Sequence, residues 1–244
     1  MRPTSRAEEL PSGSAGTAAD AVLAPDRQSQ AELAYEKLKQ LVLDGTLPAG
    51  AQMLEQEAAA RLNMSRTPVR EAMVRLRQEG MVEIRPRHGM RVLPISAGDM
   101  AEIYEVLTAL EGAAAEAVAR RGVAARQFGV LRAAVRDMDK ALERDDLAAW
   151  AEADERFHSH LVELSGNQRL IQMVGQLWDQ AHRARMLTLR LRPRPINSNR
   201  EHEALVEAMA AGQPDRAKQL HEDHRRRAGT MLIELLERLG LTQI

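Results

Sequence analysis

The fold is decided by residues 62–72, which read Leu-Asn-Met-Ser-Arg-Thr-Pro-Val-Arg-Glu-Ala. Asn63 interrupts the helical pattern that precedes it, and Ser65 or Thr67 can cap the helix that follows. Pro68 then lies in the first turn of that helix, where its missing N–H costs little. The stretch therefore predicts two short helices joined by a tight turn.

The second of these helices has two faces of different character. At about 100° per residue, its apolar side chains fall together on one side (Val69, Ala72, Met73 and Leu76). Arg66, Arg70 and Arg77 lie beside that stripe and are predicted to be exposed. A helix that enters the DNA major groove needs this division, because its margin must offer forked donors to guanine edges or phosphates. Ser65 and Thr67 can donate to phosphates.

The elements on either side complete a winged helix-turn-helix. An amphipathic helix around Leu33–Val42 precedes the pair, and two predicted strands at 81–85 and 90–93 follow it around the turn 86–89. We assign residues 29–93 to this DNA-binding domain.

The rest of the chain is predicted to be a tail, a linker and a helical bundle. Residues 1–28 are rich in Ser, Gly, Ala and Pro, which is typical of a disordered tail. Residues 94–98 read as a linker, and 99–240 as about six helices. The predicted fold class is mainly α, a winged helix-turn-helix followed by an all-α helical-bundle effector domain.

Composition supports this class and excludes others. The chain has 244 residues, of which 44% are hydrophobic and only 2% aromatic, a mix that favours helices packed by aliphatic side chains. The absence of cysteine excludes a disulfide framework, a thiolate zinc site and a cysteine nucleophile. No apolar run approaches the roughly 18 residues of a membrane span, and the N-terminus lacks the apolar core of a signal peptide. We therefore expect a cytoplasmic protein without a membrane partner.

Charge is unevenly distributed along the chain. Residues 61–91 carry eight arginines and three acidic residues, a net charge of +5, whereas residues 99–165 carry fourteen acidic and eight basic residues, a net charge of -6. A basic segment followed by an acidic one is typical of a phosphate-binding domain joined to a domain with another function. An uneven solvated surface is the alternative.

Four polar side chains of the helical part fall on the apolar faces of their predicted helices: Asp154, His158, His202 and His224. His221 lies at the edge of its stripe, and His160 faces outward. Inward carboxylates and imidazoles are costly unless they are paired or bound to a metal. One Asp and three His suit a divalent transition metal with positions open for water or ligand; a structural Asp–His hydrogen-bond cluster is the alternative.

One arginine of the helical part also falls on an apolar stripe. Arg185 shares a face with Val174, Trp178 and Ala181, so it could face a pocket and bind a carboxylate effector. A helix-edge arginine paired with a neighbouring acid is the alternative.

The segment from Leu33 to Leu93 resembles the winged helix of the GntR family of bacterial regulators. The resemblance rests on four stretches, which are Leu47-Pro-Ala-Gly50, residues 62–72, Gly80-Met-Val-Glu-Ile84 and Arg87-His88-Gly89. It implies that Arg66 and Arg70 read bases, and that the wing around His88 and Gly89 touches the minor groove or the DNA backbone. Gln56 stands where several relatives place a DNA-contacting arginine, which puts the contribution of the second helix in doubt.

The helical part resembles the ligand-sensing FCD domain of the FadR-type branch of that family. The matching pieces are Asp154-Glu-Arg-Phe-His158, Ser165-Gly-Asn-Gln-Arg-Leu170, Ser198-Asn-Arg-Glu-His202, Ala211-Gly212 and His224. Similar domains hold a divalent metal with one Asp and three His and commonly bind small organic acids against it. The resemblance implies the metal ligands Asp154, His158, His202 and His224. Zinc, nickel and manganese are all compatible with them. Leu107 departs from the pattern, because many relatives have an arginine there.

Together these features predict a homodimeric transcriptional repressor that binds a double-stranded operator, one winged helix to each half-site. A small carboxylate effector, bound at the metal and near Arg185, would change the affinity for DNA. The alternatives are a metal-dependent hydrolase or lyase and a non-specific nucleoid protein. No general base or nucleophile stands out beside the Asp/His set, so we do not expect an enzyme.

Overall fold

A computed structural model of the chain describes residues 29–241, so the tail predicted for residues 1–28 lies outside the described residues. Within residues 29–241, nine α-helices, two short 3-10 turns and a three-stranded sheet follow one another. The mainly helical fold class predicted from the sequence is confirmed. In the same range, every helix is too short or too polar to serve as a membrane span.

The N-terminal part is a winged helix. Its elements are α1 (Gln30–Leu43), β1 (Gln52–Met53), α2 (Glu55–Leu62), α3 (Arg66–Gln78), β2 (Val82–Arg85) and β3 (Gly89–Val92). Asn63 ends α2 in the left-handed conformation, with φ of +54°, a backbone state that asparagine tolerates better than most residues. Ser65 occupies the N-cap position of α3, although its side chain makes no capping hydrogen bond.

The sheet has one strand more than the sequence predicted. Its strands are antiparallel in the order β1-β3-β2, and β1 is defined by its pairing with β3, with Gln52 opposite Arg91. Two residues are too few to show an alternating pattern, which is why β1 escaped prediction. Gly89 is required for this pairing, because its φ is +74° and an added Cβ would lie 2.2 Å from the carbonyl oxygen of Met53.

Six helices form the body. They are α4 (Ala97–Arg121), α5 (Phe128–Glu143), α6 (Leu147–Leu164), α7 (Gln168–Thr188), α8 (Ile196–Ala210) and α9 (Pro214–Arg238), with 3-10 turns at Ala125–Gln127 and Leu189–Leu191. Helix α4 begins inside the segment 94–98 that was predicted to be a linker. The reason is a cap: the Ser96 hydroxyl accepts the N–H of Asp99 at 3.0 Å.

Three apolar clusters form the core. One lies within the winged helix, one joins α5, α6 and α8 to the end of α4, and one joins α4, α7 and α9. Helices α4 and α9 are both 25 residues long and approach closely, because Gly229 leaves room for the ring of Tyr104. Helix α4 also contacts α6, α7 and α8, so it is the central helix of the body.

Helix α7 joins the body to the winged helix. Asp179 forms an ion pair with Lys39 of α1, and Gln180 donates to the backbone oxygen of Glu79 at 2.9 Å. Arg183 donates to the backbone oxygen of Leu93 at 2.7 Å. One face of α7 therefore carries polar contacts to three places in the N-terminal part.

Candidate functional site

The start of α3 carries the exposed groups that the sequence assigned to DNA. Ser65, Arg66, Thr67 and Arg70 are all exposed, whereas the apolar stripe of the same helix is buried, with Val69 at 0%. The predicted division of α3 into a packing face and an exposed margin is confirmed. The structure thus brings the four polar side chains together at one end of the helix.

Both arginines at this end are held by one carboxylate. Glu55, at the start of α2, accepts from Arg66 Nε at 2.8 Å through one oxygen and from Arg70 Nε at 2.8 Å through the other. Arg70 makes a second contact with Glu55, at 3.0 Å. The pair lowers the pKa of Glu55, chiefly through its hydrogen bond with Arg70. Sequence reasoning missed Glu55, since a contact between α2 and α3 depends on how the two helices cross.

The wing lies beside this end of α3. A groove brings Glu55, Gln56 and Arg66 together with Arg85 and Arg87 from the hairpin. His88 is exposed at the tip of the hairpin. Gly89 lies in the same hairpin, where its backbone packs against β1 and leaves no room for a side chain. The groove has a surplus of arginine, as a surface that meets phosphates requires.

The inward-facing residues of three body helices meet in one buried cluster. Asp154 and His158 come from α6, His202 from α8 and His224 from α9, and their exposures are 8%, 0%, 1% and 5%. One nitrogen from each of the three imidazoles lies within 4.8 Å of the other two. His160, by contrast, remains on the surface. The three imidazoles converge on a single point beside the Asp154 carboxylate.

The distances between donor atoms match those of a metal centre. His202 Nε2 lies 3.3 Å from His224 Nε2, and Asp154 Oδ1 lies 3.7 Å from His158 Nε2 and 3.7 Å from His202 Nε2. Bonds of about 2.0–2.2 Å to a tetrahedral zinc would separate its ligands by about 3.4 Å. His158 Nε2 has no hydrogen-bond partner within the described residues. The three imidazoles therefore fit a divalent cation. Asp154 lies close to two of them, although its carboxylate is outside the set of donor atoms that all lie within 4.8 Å of one another.

Carboxylates lie behind two of the three imidazoles. His224 Nδ1 is 2.9 Å from Glu201, and His158 Nδ1 is 3.2 Å from Glu111. A carboxylate on the far nitrogen fixes the tautomer and leaves the near nitrogen free to bind a metal. His202 differs, because its Nδ1 has no partner among residues 29–241.

The protonation states also suit metal binding. Burial raises the pKa of Asp154, but the nearby His158, His202 and Arg185 outweigh it and hold that pKa well below its ordinary value. Burial, followed by repulsion from neighbouring imidazoles, lowers the pKa of His202 and of His224. At neutral pH the carboxylate is therefore ionised and both imidazoles are neutral, the forms that a metal requires.

A second buried cluster, centred on Glu111, lies behind the histidine cluster. It was not predicted from the sequence. Glu111 of α4 is fully buried and accepts from Trp178 Nε1 at 2.8 Å and from both ends of the Arg225 fork. Its oxygen also lies 3.2 Å from His221, which is itself 0% exposed rather than at the edge of a stripe. Arg225 contacts Glu111 so closely that this group is a support for His158 rather than another cation site. The sequence did contain an indication that Glu111 is buried, because Glu111 lies four residues after the apolar Leu107 and therefore on the same face of the helix.

Two adjacent cavities open beside Asp154. They have volumes of about 310 and 210 Å³ and share walls formed by Trp150, Asp154, Arg185, Leu189 and Arg192. The smaller cavity reaches His224, and the larger is also lined by Gln40 and Leu43 of α1 and by Asp44, which follows that helix. Arg185 stacks over Trp178, with its guanidinium carbon 5.0 Å from the ring centre.

A winged helix with an exposed arginine pair, on a helical body with a buried Asp/His cluster that could hold a metal, is the architecture of a DNA-binding regulator. Comparison with family models gives the family. Residues 30–92 match the bacterial regulatory proteins of the gntR family, and residues 102–227 match the FCD domain. The chain belongs to the GntR family of transcriptional regulators and carries an FCD domain. The family and the relatives named below are transcriptional regulators, the class that the sequence predicted in preference to an enzyme.

Individual relatives agree with this assignment. The chain is 46% identical over 147 residues to a helix-turn-helix regulator encoded in the TAR-I ttuE-ttuC' intergenic region of Agrobacterium vitis, which covers 59% of this chain and 84% of the relative. It is 26% identical over 190 residues to the transcriptional repressor RspR of Escherichia coli, an alignment that covers 78% of this chain and 83% of RspR. Among solved structures, E. coli McbR/YncC has the same fold, with a TM-score of 0.71 at 21% identity over 85% of this chain and 98% of that one.

Proposed function

We propose that this regulator is a homodimeric repressor whose affinity for its operator is set by a small carboxylic acid. The acid binds in the cavity beside Asp154, against a divalent zinc, nickel or manganese ion held by Asp154, His158, His202 and His224. When bound, the metal supplies a Lewis acid that coordinates the effector. The observation that carries the proposal is the single cavity wall on which Asp154 and Arg185 lie together.

On the DNA side, we assign base reading to Arg66 and Arg70, one pair in each half-site. Ser65 and Thr67 bind phosphates at the start of α3, and the wing around His88 and Gly89 lies along the minor groove or backbone. This assignment is supported by the exposure of the α3 side chains and by the family's DNA-binding role. Glu55 keeps both guanidiniums oriented until guanine edges replace it.

On the effector side, Arg185 binds a carboxylate of the ligand. Within residues 29–241 it forms no ion pair with a carboxylate, since the nearby Glu155 is engaged by His182 Nδ1 at 2.8 Å. An arginine fork is the usual bidentate partner of a carboxylate. Trp178, under the guanidinium, holds it in place by a cation–π contact.

Helix α7 transmits the effector's presence to the DNA-binding domain. Arg185 lies within two turns of Asp179, Gln180 and Arg183, the residues of α7 that contact the winged helix. In addition, α1 lines the larger cavity. A ligand that binds more tightly to one arrangement of head and body shifts the population toward it. Coupling of this kind typically changes affinity about 5- to 150-fold.

The test uses the full-length protein and an operator selected from random duplexes. Fluorescence anisotropy measures operator affinity with the zinc-loaded protein and with the chelated protein, each with and without a panel of small mono- and dicarboxylic acids. We expect at least one acid to change the affinity of the zinc-loaded protein only. Arg185→Gln should abolish that change, whereas Arg190→Gln, at a nearby exposed position, should retain it. If no acid alters operator binding in the zinc-loaded protein, the effector part of the proposal is wrong.

A further inference from the structure

The smaller cavity carries positive charge that the described residues do not neutralise. Its wall includes five arginines, which are Arg185, Arg192, Arg194, Arg225 and Arg227. Three of them form ion pairs, Arg194 with Asp145, Arg225 with Glu111 and Arg227 with Glu201. Within residues 29–241, Arg185 and Arg192 form none. The two unpaired guanidiniums therefore lie on the same wall as Asp154.

Local backbone chemistry fixes the position of Arg192. It precedes Pro193 and is extended, with φ of -86° and ψ of 152°, as expected for a residue before proline. Its Nε donates to Thr188 Oγ1 at 3.1 Å, and another nitrogen donates to the backbone oxygen of Arg185. Thr188 is fully buried. Arg192 is thus folded back against the C-terminal end of α7 by two uncharged acceptors, and its position is set before any ligand arrives.

An unpaired guanidinium in this position is energetically unfavourable. Burial lowers the pKa of Arg192, and repulsion from Arg185 lowers it further, while Tyr104 and Asp154 oppose the decrease. A partly desolvated cation is costly without a counter-charge. Two such cations on one wall therefore favour an anion that comes from outside the described residues.

We propose that Arg185 and Arg192 together bind a second carboxylate of the effector, which is therefore a small dicarboxylic acid. This inference rests on the function proposed above. One carboxylate faces the metal-ligand cluster at Asp154 and His224, and the other lies between the two guanidiniums. A monocarboxylate on the metal would leave both guanidiniums uncompensated.

The test compares two acids that differ only in the second carboxylate. Isothermal titration calorimetry measures the binding of 2-hydroxybutanedioate and of 2-hydroxybutanoate to the zinc-loaded full-length protein. We expect the diacid to bind at least about 10-fold more tightly, the lower range for one good charge-assisted contact. Arg192→Gln should remove this preference. Arg194→Gln should keep it, because Arg194 lines the same cavity but already has Asp145 as its partner.

The outcomes separate this inference from the proposed function. Equal binding of the two acids overturns the dicarboxylate assignment and favours a metal-bound monocarboxylate. A preference for the diacid that survives Arg192→Gln overturns the role of Arg192. Binding of neither acid overturns the dicarboxylate assignment, whereas the proposed function is overturned only when no acid of the wider panel alters operator binding. Inorganic phosphate is titrated as a third ligand, and Arg192-dependent binding of phosphate without the diacid would show that the second group is a phosphate. Zinc content and thermal unfolding of each variant establish that the fold and the metal cluster are intact.

Discussion

Two carboxylates, one in each half of the molecule, are each gripped by cations in opposite surroundings. Glu55 lies between Arg66 and Arg70, whose side chains are both 64% exposed. Glu111 lies among Arg225, His158 and His221, and the side chains of this group are 0–3% exposed. The carboxylate–cation distances in the two clusters are similar, but the first cluster is exposed to water and the second is not.

That difference determines what each cluster can do. Water screens the exposed pair, so its net stabilisation is small and the arginines can be given up to a stronger partner. The buried group has no water to replace a lost partner, so removing one member leaves a charge uncompensated. In the winged helix, Arg66 and Arg70 can therefore leave Glu55 for DNA. In the helical body, Glu111 holds His158 in place.

The largest effect should come from breaking the buried group. Glu111→Gln leaves Arg225 without its counter-charge, and we expect the free energy of unfolding to fall by about 3–5 kcal/mol. Chemical denaturation of the chelated protein measures it. The control is Glu116→Gln on the same helix, whose partner Arg120 is exposed, and it should cost less than about 1 kcal/mol. Equal losses would mean that the burial of Glu111 is not what matters.

Acid should also weaken the body selectively. Burial lowers the pKa of His221 from 6.5 to about 4, despite its hydrogen bond with Glu111. The unfolded chain then binds a proton near pH 6.5 and the folded chain only near pH 4, so the stabilisation is complete above 6.5 and is lost as the pH falls toward 4. The shift corresponds to about 3 kcal/mol. Denaturation of the chelated protein across this range should show the loss. His221→Asn should make the loss smaller, because the contribution of His221 is removed while those of His202 and His224 remain, and His160→Ala should leave it unchanged.

Removal of a metal ligand should affect the body and spare the head. His202→Ala should weaken zinc binding by more than the roughly 10- to 100-fold that changes behind a ligand cause. Competition with a chelating dye measures this, and His160→Ala, at the surface of α6, is the matched control. Unchanged zinc affinity in His202→Ala would rule out His202 as a ligand.

The reciprocal change should affect the head and spare the body. Arg70→Ala should weaken operator binding about 10- to 100-fold for each half-site, the value of one bidentate guanine contact. Zinc content should not change. Arg77→Ala, exposed further along α3, should have a smaller effect that is the same on operator and random DNA. Equal, sequence-independent losses from the two variants would contradict base reading by Arg70.

The smallest effect should come from the exposed carboxylate. Glu55→Gln removes the charge that competes with phosphates for Arg66 and Arg70, so binding to random DNA should strengthen a few-fold. The slope of log affinity against log salt should steepen by about one. Stability should scarcely change, in contrast to Glu111→Gln. A large loss of stability from Glu55→Gln would remove the distinction between the two clusters.

Most of the correct predictions follow from the helical periodicity of apolar and polar residues. The exposed margin of α3 and the inward faces of Asp154, His158, His202 and His224 follow from 100° steps along single helices, and the structure places each where that rule expects. The assignment of these residues to bases and to a metal stays a prediction, as do Arg185 and the domain boundaries. β1 could not be predicted, because two residues have no period.

The features that could be predicted from the residues are therefore local: which helices form, where they end, and which side of each is buried. The tertiary structure alone decided the partners. Glu111 and Arg225 are 114 residues apart, and the absence of a carboxylate partner for Arg192 among residues 29–241 depends on how the helices around it pack. Helical periodicity fixes a side chain's direction relative to its own axis, whereas a contact between helices depends on how their axes cross. That crossing is the reason why the arginine pair of α3 was visible in the sequence and the carboxylate that holds it was not.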